Sequence, residues 1–554
     1  MSNGRRLRQP RRNRYDYVVI GAGSAGSAIA ARLAEDNVSV LLLEAGPWDD
    51  SIVLKMPAAL AIPLGNDKYN WYYHSEPEPH LNGRKIYEAR GRVIGGSSSI
   101  NGLNWVRGNP LDYDRWSETG NDGWAYSEVL PYFKKAESFH GVESVYRGAG
   151  GPMKVETCPA DHILYQKFLK AGVEAGYPYT EDHNAFQQEG MHKAQRNVSG
   201  GVRWSASRAY LVDRLVWPNL DVVANARIHR IKFFGRMACG VNVKLRHEAD
   251  VRFIEAEREV ILCGGALNSP QLLLLSGVGR ADDLRRADVP LVADVAGVGY
   301  GLKDHVAASV QYRVTRNVSI ASQLTFLGKA KLGLEWSLFK TGLGASNFFE
   351  VGGFIRTDPQ EIIPDIQYEF TPMLGEVQHG SVAIGQGFQY FLNLLRPTSE
   401  GRVWIEDADP LKPPRFVFNY LQSDQDKQAM IAAVRATRHI VAQSSWDDLR
   451  GEETSPGMEF VTDAQILAWL QNNSGTVYHP CRSCRMGSDD LAVTDRFARV
   501  HGVERLRVID ASIMPEIVSG NINAPVIMMA EKLADHIRGR ATLAPEKVPY
   551  YLAG

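Results

Sequence analysis

The run Tyr15–Ile20 is apolar in the manner of a strand buried on both faces of a parallel sheet. Gly21-Ala-Gly23-Ser-Ala-Gly26 follows it, and a helical pattern then extends from about Ser24 to Glu35. Asp36-Asn37 breaks that pattern, and a second apolar run over 38–43 predicts another strand, ending at Glu44. The combination is a β-α-β unit. A similar change of period occurs further on. Arg258–Cys263 reads as a buried strand, Gly264-Gly265 as a turn, and a helix is expected to start near Ser269-Pro270, because proline suits the first helical turn. Alternating apolar and polar positions over 309–314 and 402–406 predict half-buried strands, and 424–443 predicts a long amphipathic helix. No internal repeat stands out, and no window approaches the 18 or so consecutive apolar residues of a membrane-spanning helix.

The first unit carries a dinucleotide fingerprint. Gly21 permits the tight turn, Gly23 lets backbone approach a pyrophosphate, and Gly26 lets helix and strand pack closely. Ser24 and Ala25 place backbone N–H groups at the helix N-terminus, where its partial positive charge faces phosphate. Glu44 stands where a carboxylate accepts hydrogen bonds from ribose hydroxyls, which disfavours NADP. The fingerprint alone leaves FAD and NAD open.

Composition narrows the setting. The chain has 554 residues, 44% hydrophobic and 23% charged, as in ordinary globular proteins. Lys plus Arg is 62 and Asp plus Glu is 63, a net charge of 62 − 63 = −1, so no overall footprint for nucleic acid is present. Five cysteines are too few for a disulfide scaffold, which points to a reducing compartment, the cytoplasm. Residues 1–14 carry six arginines with no apolar segment behind them. They read as a solvated basic tail, or as a weak contact with an anionic surface such as the inner membrane. Cys481-Arg-Ser-Cys484 has no second cysteine pair, so no metal is assigned to it.

Three further segments carry the chemistry. Gly91-Arg92-Val-Ile-Gly95-Gly96-Ser97-Ser-Ser-Ile100-Asn101-Gly102 offers backbone free enough of side chains to lie against a flat ring or a diphosphate. Gly264-Gly265 and the helix after it form the second. The third comprises Tyr478-His479-Pro480, Arg507-Val-Ile-Asp510-Ala511 and Gly520-Asn521-Ile-Asn523. Together with the fingerprint, these motifs resemble the glucose–methanol–choline (GMC) oxidoreductases, FAD enzymes, over about residues 15–540. Within that family the likeness is greatest to choline-dehydrogenase-like members, through Tyr69-Asn-Trp71, Ser75-Glu-Pro-Glu-Pro, Gly344-Ala-Ser-Asn347 and Glu350-Val-Gly-Gly-Phe-Ile355.

The resemblance implies an α/β fold, α+β overall. A discontinuous Rossmann-like FAD domain (1–160, 203–305 and 479–554) would be interrupted by a substrate domain (161–202 and 306–478) with an antiparallel sheet covered by helices. It implies that His479 takes the hydroxyl proton of an alcohol while hydride passes to flavin N5, with Asn521 holding the alkoxide oxygen. FAD would be held by Gly21, Gly23, Ser24, Ala25, Gly26, Glu44, Arg92, Gly95, Gly96, Ser97, Asn101, Gly102, Ile228, Gly264, Asp510, Ala511 and Asn521. Some relatives attach FAD covalently through a histidine where this chain has Ile100, so noncovalent FAD is expected. Asp304-His305 matches a recurring pair read as structural. Tyr478, Glu350 and Phe349 are candidate substrate contacts, although related enzymes for uncharged alcohols also carry a Glu at position 350, which favours a structural role for it, and Phe348 and Tyr368 are candidate wall or core positions. The expected partner is a primary alcohol, choline-like first, with oxygen or a membrane electron carrier as acceptor. Uncharged aryl or aliphatic alcohols, and a non-redox lyase of the hydroxynitrile type, remain open alternatives. No oligomeric state is implied.

Overall fold

The computed structural model describes residues 7, 9–378 and 381–553. Strand Arg14–Ile20 lies between Val40–Leu43 and Val251–Leu262, all three parallel, with Leu220–Val223 parallel beyond Val40–Leu43. Leu506–Val508 pairs in parallel with the second half of Val251–Leu262. The first half of that long strand instead turns through antiparallel partners, Met237–Leu245 and then Ala226–Phe234. Seven strands thus form one mostly parallel sheet.

The first predicted helix spans Ser24–Leu33, shorter than its pattern. The Asn219 side chain explains where the chain turns: its amide donates to the carbonyls of Ala34, Asp36 and Val38, taking up acceptors at the helix end. The glycines behave as their spacing requires. Gly21 has φ +94°, and a Cβ at Gly26 would stand 1.9 Å from the Gly21 oxygen, so neither tolerates a side chain. The helix packs against Asn523–Ile537, and a buried Arg32–Glu531 ion pair at 2.8 Å joins the two.

A second seven-stranded sheet is wholly antiparallel, ordered Arg450–Ser455, Val306–Val314, Phe388–Leu394, Ile366–Thr371, Val351–Ile355, Gly190–Lys193, with Gly475–Thr476 also on Val306–Val314. Helices Ile163–Glu174, Asp424–Val441 and Asp463–Asn473 share its apolar cluster. Trp446 is buried there, stacked on Phe388 at 4.2 Å. Truncating a ring so placed costs about 3–5 kcal/mol. The alternation at 402–406 has another outcome: Gly401–Trp404 joins a separate three-stranded sheet with Tyr300–Leu302 and Arg415–Val417.

The basic N-terminal segment is not wholly solvated. Arg11 donates to the buried Asp221 carboxylate, which also accepts from Tyr15, and Arg14 makes a two-pronged pair with Glu255 at 3.0 Å. A carboxylate buried at a sheet edge needs a counter-charge, and Arg11 supplies it to Asp221. Arg5, Arg6 and Arg8 lie outside the described residues.

Candidate active site

A cavity of about 600 Å³ opens at the carboxyl ends of Arg14–Ile20, Val40–Leu43 and Val251–Leu262 and runs beneath the second sheet. Parallel α/β sheets bind ligands at such a crevice. Two helices point their N-termini into it. Ser24–Leu33 starts from Gly23 and Asn523–Ile537 from Ile522, and neither is capped by a side chain. Their first N–H groups are therefore available to an anionic ligand. Gly265 also lines the cavity, and a Cβ there would meet nothing within 4 Å. Uncapped helix ends and glycine-lined walls fit a dinucleotide with a flat ring system.

Most of the expected cofactor residues line this cavity. Gly21, Gly23, Ser24, Ala25 and Glu44 do so at the fingerprint end, and Ile228 lies beside Glu44. Glu44 is buried, with one oxygen accepting from Ala22 N–H at 2.9 Å and the other from Gly46 N–H at 2.8 Å. Each oxygen keeps a further lone pair, while burial pushes its pKa up to about 7. Gly96, Ser97, Asn101 and Gly102 form the facing wall. Arg203, buried and itself pushed down to about 9 by desolvation, donates to the Asn101 carbonyl at 2.8 Å and side chain at 2.9 Å and so fixes that wall. Gly264, Asp510 and Ala511 close the third side. Asp510 accepts from Gly265 N–H at 2.9 Å, Ser269 Oγ at 2.5 Å and Ser512 N–H at 2.8 Å, which locks the glycine turn to the C-terminal segment.

Four expected contacts stand off the cavity wall. Gly26 serves helix–strand packing. Gly95 lies behind the wall, its N–H donating to the Ala22 carbonyl at 2.7 Å. The Arg92 guanidinium turns to the Asp67 carbonyl and lies 5.4 Å from the Trp71 ring centre, and it is Trp71 that lines the cavity. Glu350 is buried away from the cavity, accepting from Ala160 N–H at 3.0 Å and Ser346 Oγ at 2.6 Å, with Arg196 at 3.7 Å. It is a structural acid. Phe349 does line the cavity, where a Cβ at Gly102 would stand 3.8 Å from its ring, and Phe391 is a tilted neighbour at 5.7 Å. Phe348 and Tyr368 are core.

Tyr478, His479 and Asn521 meet on the remaining wall. Tyr478 holds a left-handed φ of +67°, an uncommon state for a bulky residue. Its N–H donates to Thr476 Oγ1 at 2.6 Å, and its carbonyl accepts from Arg90 at 2.5 Å. His479 is held at both backbone and ring. Its N–H donates to Asp304 at 2.8 Å, and its Nδ1 lies 3.0 Å from His305 Nδ1. His305 Nε2 is 3.0 Å from the Val518 carbonyl. A carbonyl only accepts, so His305 carries its proton on Nε2 and presents a bare Nδ1. His479 must then donate from Nδ1, which leaves the Nε2 lone pair turned toward Asn521, 3.1 Å away. Burial first, then the proximity of His305 and of the Arg90 guanidinium, hold the His479 pKa well below 6.5. Asp304-His305 is thus the support of His479 on two counts.

Sequence reasoning missed one group. Glu369 also lines the cavity. One of its oxygens accepts from Asn104 at 2.6 Å and from Asn521 at 3.2 Å, while Gln367 donates to Asn521 Oδ1 at 3.0 Å. The groups acting on this carboxyl are amides, not cations, and burial raises its pKa. The available signal was the strand itself: in Ile366–Thr371 the polar Gln367, Glu369 and Thr371 alternate with apolar residues although the strand lies inside a sheet. Cys481 and Cys484 are buried thiols whose pKa values burial pushes up. Among the described residues no group of three or more His, Cys, Asp or Glu is arranged to hold a metal.

Comparison with known proteins shows what the whole chain is similar to. GMC oxidoreductase family profiles match residues 15–307 and 397–530. The chain is 46% identical over 546 residues to the oxygen-dependent choline dehydrogenase of Ectopseudomonas mendocina (strain ymp), covering 98% of this chain and 97% of that one. It is 47% identical over 546 residues to the protein of the same name from Xanthomonas campestris pv. campestris (strain B100), covering 98% of each. Among solved structures, pyridoxine 4-oxidase from Mesorbium loti superposes with a TM-score of 0.86 at 30% identity, over 95% of this chain and 100% of that one. Formate oxidase of Aspergillus oryzae RIB40 superposes with a TM-score of 0.89 at 26% identity, over 95% and 98%.

Proposed function

The chain belongs to the GMC oxidoreductase family, flavoproteins that use FAD to oxidise alcohols, and we propose that its substrate is a small primary alcohol bearing a positive charge, of the choline type, with His479 as the base. One observation carries this reading. The His479 Nε2 lone pair, the Asn521 amide and the cation-free Glu369 carboxylate stand in one hydrogen-bonded row on the cavity wall. The row provides a proton acceptor, an oxyanion donor and an anionic end within the span of a short amino alcohol. Phe349 and Phe391 add aromatic faces to the same cavity, suited to an ammonium group. The names of the similar dehydrogenases agree with such a substrate.

FAD would be held by the fingerprint backbone and Glu44 at one end, and by Asn101, Gly102, Gly264 and Asp510 along its length. When bound, it supplies the acceptor for the hydride that leaves the alcohol carbon, giving the aldehyde. The residues do the rest. The substrate hydroxyl donates to His479 Nε2 in place of the Asn521 amide, and His479 takes the proton. The resulting imidazolium keeps both N–H groups partnered, Nδ1 with His305 and Nε2 with the substrate oxygen. Asn521 Nδ2, oriented by Glu369, donates to the developing alkoxide. Oxygen is the proposed final acceptor, on the names of the relatives. FAD is proposed to be noncovalent, since the cavity position of Ile100 has no nucleophile. We read the two sheets as a cofactor domain (1–160, 203–305, 479–554) and a substrate domain (161–202, 306–478), a reading supported by the apolar cluster beneath each sheet, with Tyr73, Leu81, Ile86, Leu267 and Leu302 of the first ranges packing into the second cluster.

Anaerobic addition of choline should bleach the flavin band near 450 nm, and acid precipitation should leave the yellow colour in the supernatant. A flavin that no alcohol bleaches would sink the redox reading and favour a lyase. The proton arrangement makes a second expectation. Because the base is already bare near neutrality, the limiting rate of flavin reduction should be level through neutral pH and fall only well below pH 6.5. His305→Phe removes the acceptor that fixes the tautomer, so kcat should drop by about 10²-fold or more with KM little changed. A parallel loss in KM alone would show His305 to be a packing residue.

A further inference from the structure

Helix Phe326–Phe339 is mounted with its apolar side outward. It attaches to the body chiefly through Trp336, which is buried and donates from its indole N–H to the Gly201 carbonyl at 2.6 Å. Leu332 faces Gly344 on the same inner side. At 3.6 residues per turn, Phe326, Leu327, Ala330, Leu334 and Leu338 share the opposite third of the circumference. Phe326 is 87% exposed, Leu327 78%, Leu334 62% and Leu338 64%. A surface helix ordinarily buries such a stripe and shows its polar side to water. Large exposed apolar patches mark interaction surfaces.

The charges beside the stripe select its occupant. Lys331 is exposed at the border of the stripe and Lys329 is exposed on the flank next to Trp336, whereas Lys340 lays its ammonium 3.9 Å from the Trp336 ring centre and the one acid of the helix, Glu335, folds back toward Gly342. A twofold contact between two copies through this helix would gather the lysines of both copies at one interface with no exposed acid of the helix to offset them. The face of a 14-residue helix covers only about 21 by 10 Å, far below the ~800 Å² per partner of a stable interface. An anionic bilayer answers both features, taking the apolar side chains into its acyl boundary and the lysines at its phosphates. No helix among the described residues is long and apolar enough to cross a membrane. We propose that Phe326–Phe339 lies in the plane of an anionic lipid surface and seats the enzyme on it.

The test uses the full-length FAD-loaded protein, sedimented with vesicles of phosphatidylcholine alone or mixed with phosphatidylglycerol, alongside analytical ultracentrifugation. Wild type is expected to bind the mixed vesicles and to be released by salt. The double variant Leu334→Glu/Leu338→Glu should bind at least tenfold more weakly while keeping its flavin spectrum and its rate with soluble alcohol. Lys329→Glu/Lys331→Glu should lose the preference for anionic lipid. Equal binding by wild type and the leucine variant, or no binding by wild type, would overturn the proposal. So would a wild-type dimer that the leucine variant dissociates, because the stripe would then be a contact between copies. The result is independent of which alcohol the cavity takes.

Discussion

Replacing His479 with Ala should slow anaerobic reduction of the flavin by alcohol by about 10³-fold, within the 10²–10⁴ that a positioned base contributes. Flavin content and absorbance should be retained, because the cofactor walls are built from other segments: the Gly21–Gly26 turn, Asn101-Gly102 held by Arg203, and Gly264-Gly265 held by Asp510. The loss should appear in kcat and in kcat/KM alike, the signature of a group that acts in the transition state. The residual rate should climb with pH as hydroxide substitutes for the missing base. Asn521→Ala removes one oxyanion donor and should cost about 10²-fold. Stopped-flow reduction near wild-type speed in the His479 variant would overturn the assignment of the base.

The parts of this site that were legible in the sequence are those in which one short segment does one job. The β-α-β fingerprint places strand, glycines, helix and Glu44 within 30 residues, so local spacing determines their geometry. His479 and Asn521 carried no such local signal, and their candidacy rested on resemblance alone. Glu350 has the structural role that the sequence favoured over a substrate contact, and for a physical reason. Adjacent residues of an extended chain point in opposite directions, so a Phe349 that faces the cavity turns Glu350 toward Ala160 and Arg196. Glu369 is marked in the sequence only by the polar alternation of its strand, because its partners Asn104 and Asn521 stand 265 and 152 residues away. The outward stripe of Phe326–Phe339 was overlooked for the converse reason. Its residues look like core residues, and only the attachment through Trp336 reveals which side faces out.

Glu369→Gln should separate charge from hydrogen bonding. Glutamine keeps an oxygen that can accept from Asn104 and Asn521, so the Asn521 amide remains oriented while the negative charge is lost. An ammonium about 5 Å from a carboxylate gains roughly 3 kcal/mol at an effective dielectric of about 20, which corresponds to about 10²-fold in affinity. The variant should therefore lose about 10²-fold in kcat/KM for choline, mostly through KM. For the uncharged isostere 3,3-dimethylbutan-1-ol it should change by less than about threefold, because the aromatic walls and the His479–Asn521 pair are untouched. The pH dependence gives an independent check. Burial holds the Glu369 pKa above 4.5, and only the ionised form attracts a cation. KM for choline in the wild type should thus rise as pH falls through that raised pKa, and in Glu369→Gln this rise should vanish. An equal loss with both alcohols would mean that Glu369 acts only by orienting Asn521. A wild-type preference for the neutral isostere would assign the cavity to uncharged alcohols instead.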